Sequence, residues 1–452
     1  MVHLLFSIIS LVASMSSSLC LAFAFVSSSA RHHKTFQTTA LHNNLSSSSS
    51  FCAQADIHQV HPIHDNTLSS ARGWMEHIEQ TDGPKCGVGA YTVLRCDATT
   101  TTNASNDADE VTCEWKVWGE KFHMDRLTFS FQTLTTNLFG SDDNQFGITS
   151  MSGMGSSVQT QSMYADSIEE TRHVMDGLLE QATKSICANE GTQTLMLTIL
   201  WTPSSSASKS TPLVRGHAAF ATTNNAPQPI TACIAIPSRP TPEALSILPR
   251  RHGMNLNQQR QVGSSASAKV SSWCRLRRPL EDPDRYKPPE YNVGEVLLVR
   301  QPETERGTNI MTYSNDNFID TLELLEGLIS NLFVVYNDGT VRTAPVGLVL
   351  PGYARHLIIQ ELNERGMKVD SSNPPTIQDM RDGLWSEVFV TSAIRLVVPV
   401  EQIIMPATGA TAAPRVVWEA PSDEFHATKM IQSAVYQRGC SQATEKNIVT
   451  SL

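Results

Sequence analysis

Apolar runs divide the chain beyond residue 85 into strand-like and helix-like segments. Residues 88–96 and 114–118 have an extended pattern, and the polar stretch 97–110 between them has no apolar periodicity. These segments predict two strands that form a hairpin through a solvated loop. The following run, FHMDRLTFSFQTLTTNLF, predicts a helix, whereas residues 140–162 are rich in Ser, Gly and Met and predict no core segment.

A second helix is predicted over residues 167–187, where apolar side chains recur at helical spacing. Ser167 and Glu170 have the spacing of a capping box, in which each side chain binds a free backbone amide of the first turn. Strands are predicted next, at residues 195–202, 213–222 and 230–236. The segment 237–267 has mixed polarity and several prolines, and it predicts a connection between two domains.

The second half of the chain again mixes strands with helices. A hairpin is predicted to turn at residues 337–339, and a helix that starts near Tyr353 is predicted to end at Gly366. A polar insert at residues 301–318 interrupts this half. The elements together predict an α+β protein with domains at residues 56–237 and 238–452, and with further strands at residues 295–300, 387–390 and 395–400.

The first 55 residues differ from the rest of the chain. Residues 4–25 are mostly apolar and uncharged, residues 27–55 are dense in Ser and Thr, and no Asp or Glu precedes Asp56. This order predicts a signal peptide followed by a transit peptide, which resembles the bipartite presequences of algal plastids, so we expect import into a plastid. The alternative is a secreted or anchored protein, in which Asn44 and Asn103 would be candidates for glycosylation.

Charge and cysteine content exclude several classes of function. The net charge of -10 argues against general binding to nucleic acids, which requires a basic face. No later apolar run is long enough to cross a membrane, so we expect no membrane partner for the mature protein. The nine cysteines show neither a CxxC pair nor zinc spacing, so no metal site is predicted. We interpret the seven cysteines after the presequence as reduced thiols.

Three motifs follow one another through residues 320–405: LLEGLISN, VLPGYARH and SEVFVTSAIRLVVPV. In order and spacing they resemble the second domain of class IV aminotransferases. That family includes branched-chain and D-amino-acid aminotransferases and aminodeoxychorismate lyase. The resemblance implies fold-type IV, with an N-terminal α/β sandwich-like domain and a C-terminal β-pseudobarrel with helices. It also implies a homodimer that holds pyridoxal 5'-phosphate (PLP) at the domain interface.

The resemblance assigns two groups to the reactive part of the cofactor. Glu326 in EGLISN matches the carboxylate that keeps the pyridine nitrogen protonated. Lys269 in AKVSSWCRLRRPLE matches the lysine that forms an imine with the cofactor. Lys287 is the alternative, because GSSASAK is more polar than the usual strand and because the insert lengthens the distance along the chain to Glu326.

The resemblance also assigns groups to the cofactor phosphate. FHMDRL resembles the family's helix that carries an arginine, which implies that Arg126 binds the phosphate in two-point fashion. Tyr353 and Ala354 would add backbone amides at a helix start. Thr391 and Ser392 would donate from a hydroxyl or an amide.

Fewer residues can be assigned to the substrate. GVGAYTVLR resembles the family's strand with an aromatic residue near the substrate carboxylate, which implies Tyr91. The acidic residue that usually follows is Thr92 here. TILWTPSSS also lacks an arginine found at this strand end in some D-amino-acid enzymes, so no carboxylate clamp is carried over. His217 is interpreted as a structural histidine.

The function implied is transfer of an amino group from an amino acid to a 2-keto acid. One alternative is the elimination catalysed by aminodeoxychorismate lyase, on the route to the aminobenzoate unit of folate. The other is a non-catalytic protein that keeps the fold, which the long inserts, Thr92 and the polar surroundings of Lys269 favour.

Overall fold

The computed structural model describes residues 51–56, 59–63, 68–101, 110–139, 163–186, 192–204, 211–221, 227–235, 267–300, 320, 322–406 and 413–451. All of these residues belong to one compact unit, Ser50–Leu452. The predicted presequence up to residue 50, and the predictions for residues 102–109, 140–162, 236–266 and 301–318, lie outside the described residues.

The described residues form an α+β structure with two sheets. The strands are β1 (Cys52–Asp56), β2 (Val60–Pro62), β3 (Ala90–Thr101), β4 (Glu110–Val117), β5 (Thr192–Pro203), β6 (Pro212–Phe220), β7 (Ile230–Ala235), β8 (Val293–Arg300), β9 (Glu323–Gly327), β10 (Asn331–Tyr336), β11 (Val341–Arg342), β12 (Val369–Asp370), β13 (Trp385–Ser392), β14 (Leu396–Met405), β15 (Arg415–Glu419) and β16 (Thr444–Ser451).

The helices lie mainly against the faces of these sheets. They are α1 (Ala71–Cys86), α2 (Glu120–Phe139), α3 (Ala165–Ser185), α4 (Ser272–Leu276), α5 (Pro283–Tyr286), α6 (Tyr353–Glu364), α7 (Ile377–Arg381) and α8 (His426–Ser441). None of the helices in the described part of the chain is long and apolar enough to cross a membrane.

The first sheet is antiparallel and has the strand order β16-β4-β3-β5-β6-β1-β2. The predicted hairpin is confirmed, because β3 and β4 pair over six residues from Cys96 opposite Val117 to Thr101 opposite Thr112. One face of this sheet packs against α2 and α3. Their shared core contains Trp115, Leu127, Phe131, Leu178 and Trp201, all fully or almost fully buried.

The second sheet closes into a barrel. Its path runs β10-β13-β14-β7-β8-β9, and β9 pairs back to β10 through Asn331 opposite Glu326. β11 and β12 extend the sheet from β10, and β15 pairs with β14. The interior is apolar and includes Leu297, Leu324, Val334, Val388 and Val400. The barrel closes at the pair that contains Glu326, which fixes that carboxylate at a defined position on the barrel.

Sheet membership differs from the predicted domain boundaries at three places. β1 begins at Cys52, inside the predicted presequence, and Cys52 and Ala53 are buried. β7 precedes the predicted boundary but belongs to the barrel, and the C-terminal strand β16 pairs with β4 of the first sheet. The reason is that a strand joins the sheet whose edge can pair with it. The position of the strand along the chain does not determine which sheet that is.

Two local predictions were wrong. Asp97 does not lie in a solvated loop, because β3 continues to Thr101 and buries Asp97 in contact with Arg95 and Thr194. Helix α3 begins at Ala165, its N-cap is Tyr164, and no side chain caps it, so Ser167 is an interior helix residue. The Tyr164 ring packs against Phe131 and Trp201, so the helix begins next to a residue anchored in the core, upstream of the capping-box sequence.

The predicted turns of the second half are confirmed. Gly339 has φ +79° between β10 and β11, a conformation that favours glycine. Gly366 has φ +69° after α6, and the Met367 amide donates to the Leu362 carbonyl at 2.9 Å. This is the left-handed helix end that the sequence predicts.

Candidate active site

A cavity of ≈ 270 Å³ lies between the first sheet and the barrel, and residues of both line it. It contains every residue that the sequence assigns to the site: Tyr91, Arg126, Lys269, Glu326, Tyr353, Ala354, Thr391 and Ser392. Lys287, the alternative lysine, is not among the described lining residues. Residues from segments far apart in the sequence therefore lie around one cavity. Local sequence patterns alone would not bring them together.

Lys269 reaches the cavity from a segment that is attached to the first sheet. The Lys269 carbonyl accepts from the Tyr91 amide at 2.9 Å, and the Lys269 amide donates to Ser130 Oγ at 3.0 Å. Val270 adds an antiparallel bridge to Ala90. The Lys269 Nζ lies 4.9 Å from the centre of the Tyr91 ring. The backbone of this polar segment is thus fixed on both sides, and the amine lies against an aromatic ring.

Glu326 enters the cavity from the end of β9. Its side chain is buried, and its Oε2 accepts from the Leu350 amide at 2.9 Å and from Asn331 Nδ2 at 3.4 Å. Asn331 also donates to the Leu350 carbonyl at 2.8 Å. A Cβ on Gly352 would lie 2.3 Å from Asn331 Oδ1, so the glycine of VLPGYARH makes room for the side chain that supports Glu326. The carboxylate is therefore a fixed, buried hydrogen-bond acceptor.

Arg126 lies on the face of α2 that also presents His123 and Ser130. Its Nη2 donates to Thr92 Oγ1 at 2.8 Å, and its Nη1 donates to the Pro351 carbonyl at 3.2 Å. Burial, and then the positive charges of Arg126 and Lys269, hold the pKa of His123 well below its usual value. The neutral His123 pairs with Thr92 Oγ1 at 2.7 Å. Thr92 and His123, neither of which the sequence reasoning placed in the site, orient Arg126 without neutralising its charge.

The N-terminus of α6 faces the same region. Gly352 is its N-cap, and no side chain caps the first amides. Among the described side chains, Tyr353 OH and Thr391 Oγ1 are buried polar atoms that have no hydrogen-bond partner. Free helix amides, an arginine and two buried hydroxyl groups without partners provide a binding site for a polar anion.

The turn between β13 and β14 contributes a residue that the sequence reasoning missed. Arg395 lines the cavity, and its Nη2 lies 3.6 Å from Oε2 of the buried Glu295. Burial raises the pKa of Glu295, and the charge of Arg395 opposes that shift. The signal was present in TSAIRLVVPV, where one arginine stands among apolar residues in the last motif.

Positive charge dominates the cavity although the chain is acidic overall. Among the described lining residues, Glu326 is the one carboxylate, and there are five cations: Arg72, Arg126, Lys269, Arg277 and Arg395. The rest of the lining is largely apolar and includes Met75, Val93, Met196, Trp273 and Leu328. The arrangement fits a ligand that carries anionic groups on an apolar body.

His217 lies outside the cavity lining and has structural partners. Its Nε2 contacts Cys52 Sγ at 3.2 Å and the Leu68 carbonyl at 3.1 Å. Burial lowers the pKa of His217 to about 4 and raises the pKa of Cys52 to about 11. Both groups are therefore neutral at pH 7, which agrees with a structural role. The seven described cysteines are all free, so none forms a disulfide within the described chain.

Residues 289–403 match the family model described as amino-transferase class IV. No curated protein matches the chain. A fold IV-transaminase from Curtobacterium pusillum is 14% identical, and the match covers 77% of this chain and 84% of that chain with a TM-score of 0.46. A putative branched-chain amino acid aminotransferase from Thermotoga maritima is 12% identical over 86% of this chain and 96% of that one, with a TM-score of 0.45. A hypothetical aminotransferase from Mycobacterium tuberculosis is 13% identical over 86% and 99%, with a TM-score of 0.46.

Proposed function

We propose that the chain is a PLP-dependent enzyme that transfers an amino group from an amino acid to a 2-keto acid, because residues 289–403 match the amino-transferase class IV family model. The observation that carries the proposal is the meeting of Lys269, Glu326 and Arg126 in one cavity. They come from an irregular segment, a barrel strand and a helix beside the other sheet. An amine, a buried carboxylate and an arginine are the three groups that the resemblance to class IV aminotransferases assigns to this cofactor.

The residues present fit the cofactor. Arg126, the first amides of α6, and the hydroxyls of Tyr353 and Thr391 would hold its phosphate, and the last two are buried without other partners. Glu326 would accept a hydrogen bond from the protonated pyridine nitrogen and so keep the proton on that nitrogen. Lys269 would carry the covalent link. When bound, PLP supplies an electron sink for the electron pair released at the α carbon of the amino acid.

The chain's own groups then have defined tasks in the reaction. With an amino acid bound, the Lys269 amine would take the proton from the α carbon and would deliver it to the cofactor carbon that otherwise carries the lysine link. The Leu350 amide and Asn331 fix the orientation of the Glu326 carboxylate, which would therefore hold the protonated pyridine nitrogen in one position. Tyr91 shields the lysine from one side with its ring. The apolar lining limits water around the reacting atoms.

PLP added to the full chain is expected to produce the visible absorbance band of a lysine-bound cofactor, and borohydride is expected to fix it covalently at residue 269. Formation of a new amino acid from 2-oxoglutarate, measured by chromatography with a panel of amino donors, would then establish transamination. Repeated turnover of aminodeoxychorismate to aminobenzoate without a keto-acid acceptor would instead establish elimination. Absence of the band would contradict the proposal.

Replacement of Arg126 with lysine is expected to weaken binding of PLP by about tenfold to a hundredfold, because a charge-assisted two-point contact contributes about 1.5–3 kcal/mol. Pyridoxal, which has no phosphate, is expected to bind wild type and variant alike. Fluorescence titration of both ligands gives the ratio. The exposed pair on the same helix provides a control variant, Lys121→Arg, which should change neither affinity. Equal loss for both ligands in Arg126→Lys would indicate general damage and contradict the phosphate role.

A further inference from the structure

Arg395 is a cation of the cavity whose charge is only weakly paired. Its side chain is 34% exposed, and the distance of 3.6 Å to Glu295 exceeds that of a hydrogen bond. Within the described residues, Nη2 has no hydrogen-bond partner. Nη2 is buried toward Glu295, while Arg395 lines the cavity and about a third of its side chain is exposed, so the guanidinium is accessible to a ligand there.

The turn that carries Arg395 is held rigidly. Arg95 donates from Nη1 to the Ile394 carbonyl at 2.6 Å, and the Arg395 amide donates to Ser392 Oγ at 3.2 Å. Arg95 is itself fixed by both carboxylate oxygens of Asp97, at 3.0 and 2.9 Å. Leu396 has φ +57°, a conformation that residues other than glycine rarely adopt and that persists only where the surroundings hold it. The backbone conformation at Arg395 is thus fixed by contacts within the protein itself.

Glu295 lies behind Arg395 and is also fixed. Its Oε2 accepts from Ser330 Oγ at 2.6 Å, and its Oε1 accepts from the amides of Val296 and Leu328 at 3.1 Å each. Both carboxylate oxygens of Glu295 thus accept hydrogen bonds from within the barrel wall. It can attract the guanidinium and orient it without hydrogen-bonding it, so Glu295 is a positioning residue for Arg395.

The other cations of the cavity are more strongly engaged. Arg72 donates to Glu76 at 3.1 Å and also contacts Glu281. Arg277 forms an ion pair with Glu281 at 2.9 Å. Arg126 is held against Pro351 and Thr92, at the helix start assigned to the phosphate. Arg395 is therefore the cation best placed to bind a second anionic group.

We propose that Arg395 binds the carboxylate of the amino acid and keto acid substrates, with their side chains against the apolar lining formed by Met75, Val93 and Met196. This proposal rests on the proposed function. It supplies a carboxylate-binding group from the barrel, whereas the described residues at the end of β5 include no arginine. Arginine suits the task because its planar donors match the two oxygens of a carboxylate.

The test is isothermal titration calorimetry on the full chain loaded with PLP. It measures the affinity for propionate, which carries a carboxylate, and for propionamide, which has the same shape but no charge. Arg395→Gln is expected to bind propionate at least about tenfold more weakly than wild type, since a charge-assisted hydrogen bond is lost. Arg395→Lys should recover part of the affinity. Propionamide should bind all variants equally weakly. Arg415 is exposed on β15 and is not among the described lining residues, so Arg415→Gln is the matched control and should bind propionate like wild type.

The outcomes separate this proposal from the one it rests on. If wild type takes up no PLP, the proposed function fails before propionate is added. If PLP binds but Arg395→Gln and wild type bind propionate equally, the carboxylate role of Arg395 is wrong. If Arg395→Gln does not fold, Arg395→Lys still tests the proposal. An unchanged affinity of Arg395→Lys for propionate would contradict two-point binding of the carboxylate by Arg395.

Steady-state kinetics add a second readout. With an amino donor that reacts, Arg395→Gln is expected to raise KM by about tenfold or more and to lower kcat less, because the carboxylate does not change in the reaction and its contact stabilises bound substrate and transition state alike. A purely structural role would change thermal stability and PLP binding as well. An unchanged KM would overturn the proposal.

Discussion

Replacement of Lys269 with alanine is expected to abolish the borohydride-stable link between the chain and PLP and to lower turnover by at least about 10²- to 10⁴-fold, the usual contribution of a positioned acid–base group. The expectation follows from the geometry. Lys269 is the lysine that lines the cavity among the described residues, and its backbone is fixed by Tyr91 and Ser130. Initial rates and mass spectrometry of the reduced protein measure the two effects.

Lys287→Ala is the matched control for this variant. Lys287 lies within the same connecting region but does not line the cavity, so its replacement should leave both the covalent link and turnover unchanged. A link that survives in Lys269→Ala and disappears in Lys287→Ala would transfer the role to Lys287. The fold is expected to tolerate both changes, because the hydrogen bonds of Lys269 that position the segment come from its backbone.

Replacement of Glu326 with glutamine is expected to lower kcat by about 10²- to 10³-fold, the loss typical of removing one preorganised electrostatic partner. Glutamine retains an oxygen that can accept from the Leu350 amide, so the barrel closure at Asn331 should persist. A neutral amide cannot hold the proton on a pyridine nitrogen as a carboxylate does. Binding of PLP should therefore remain while turnover falls, and titration of PLP next to initial rates measures this difference.

Glu323→Gln on the same strand provides the comparison. Side chains alternate along a strand, so positions 323 and 326 face opposite sides, and Glu323 pairs with Arg300 at 2.5 Å instead of facing the cavity. This variant should lose some thermal stability but keep kcat. If Glu326→Gln retains wild-type kcat, the carboxylate has no role at the ring nitrogen. If both variants lose kcat equally, the effect comes from the strand and not from the charge at position 326.

The motifs of the second half made most of the candidate site predictable. Each of them contains a residue whose type reflects its contacts: Glu326 at the closing pair of the barrel, Gly352 beside Asn331, and Thr391 with a buried hydroxyl. Arg126 was predictable because its helix carries a recognisable run. All these features lie within short stretches of sequence. The residue types and their spacing were therefore enough to identify these positions as candidate site residues.

The groups that orient these residues were harder to predict from the sequence. His123, Ser130 and Thr92 meet Arg126 and Lys269 only because α2 packs across β3 and the segment at 267–271. Arg395 stood in a recognised motif, but its role depends on Glu295, which lies on another strand. Such roles depend on distances between elements, and a single sequence does not contain these distances.

The sequence by itself determined the local elements: the β3–β4 hairpin, the turn at Gly339, the end of α6 at Gly366, and the residue types of the last three motifs. Tertiary structure decided that β7 joins the barrel, that β16 and Cys52–Asp56 complete the first sheet, and that α3 starts at Ala165. The physical reason is the range of the interactions. Turn geometry and apolar periodicity act between near neighbours in the chain, whereas strand pairing, ring packing and the charge of a cavity are set by residues that only the fold brings together.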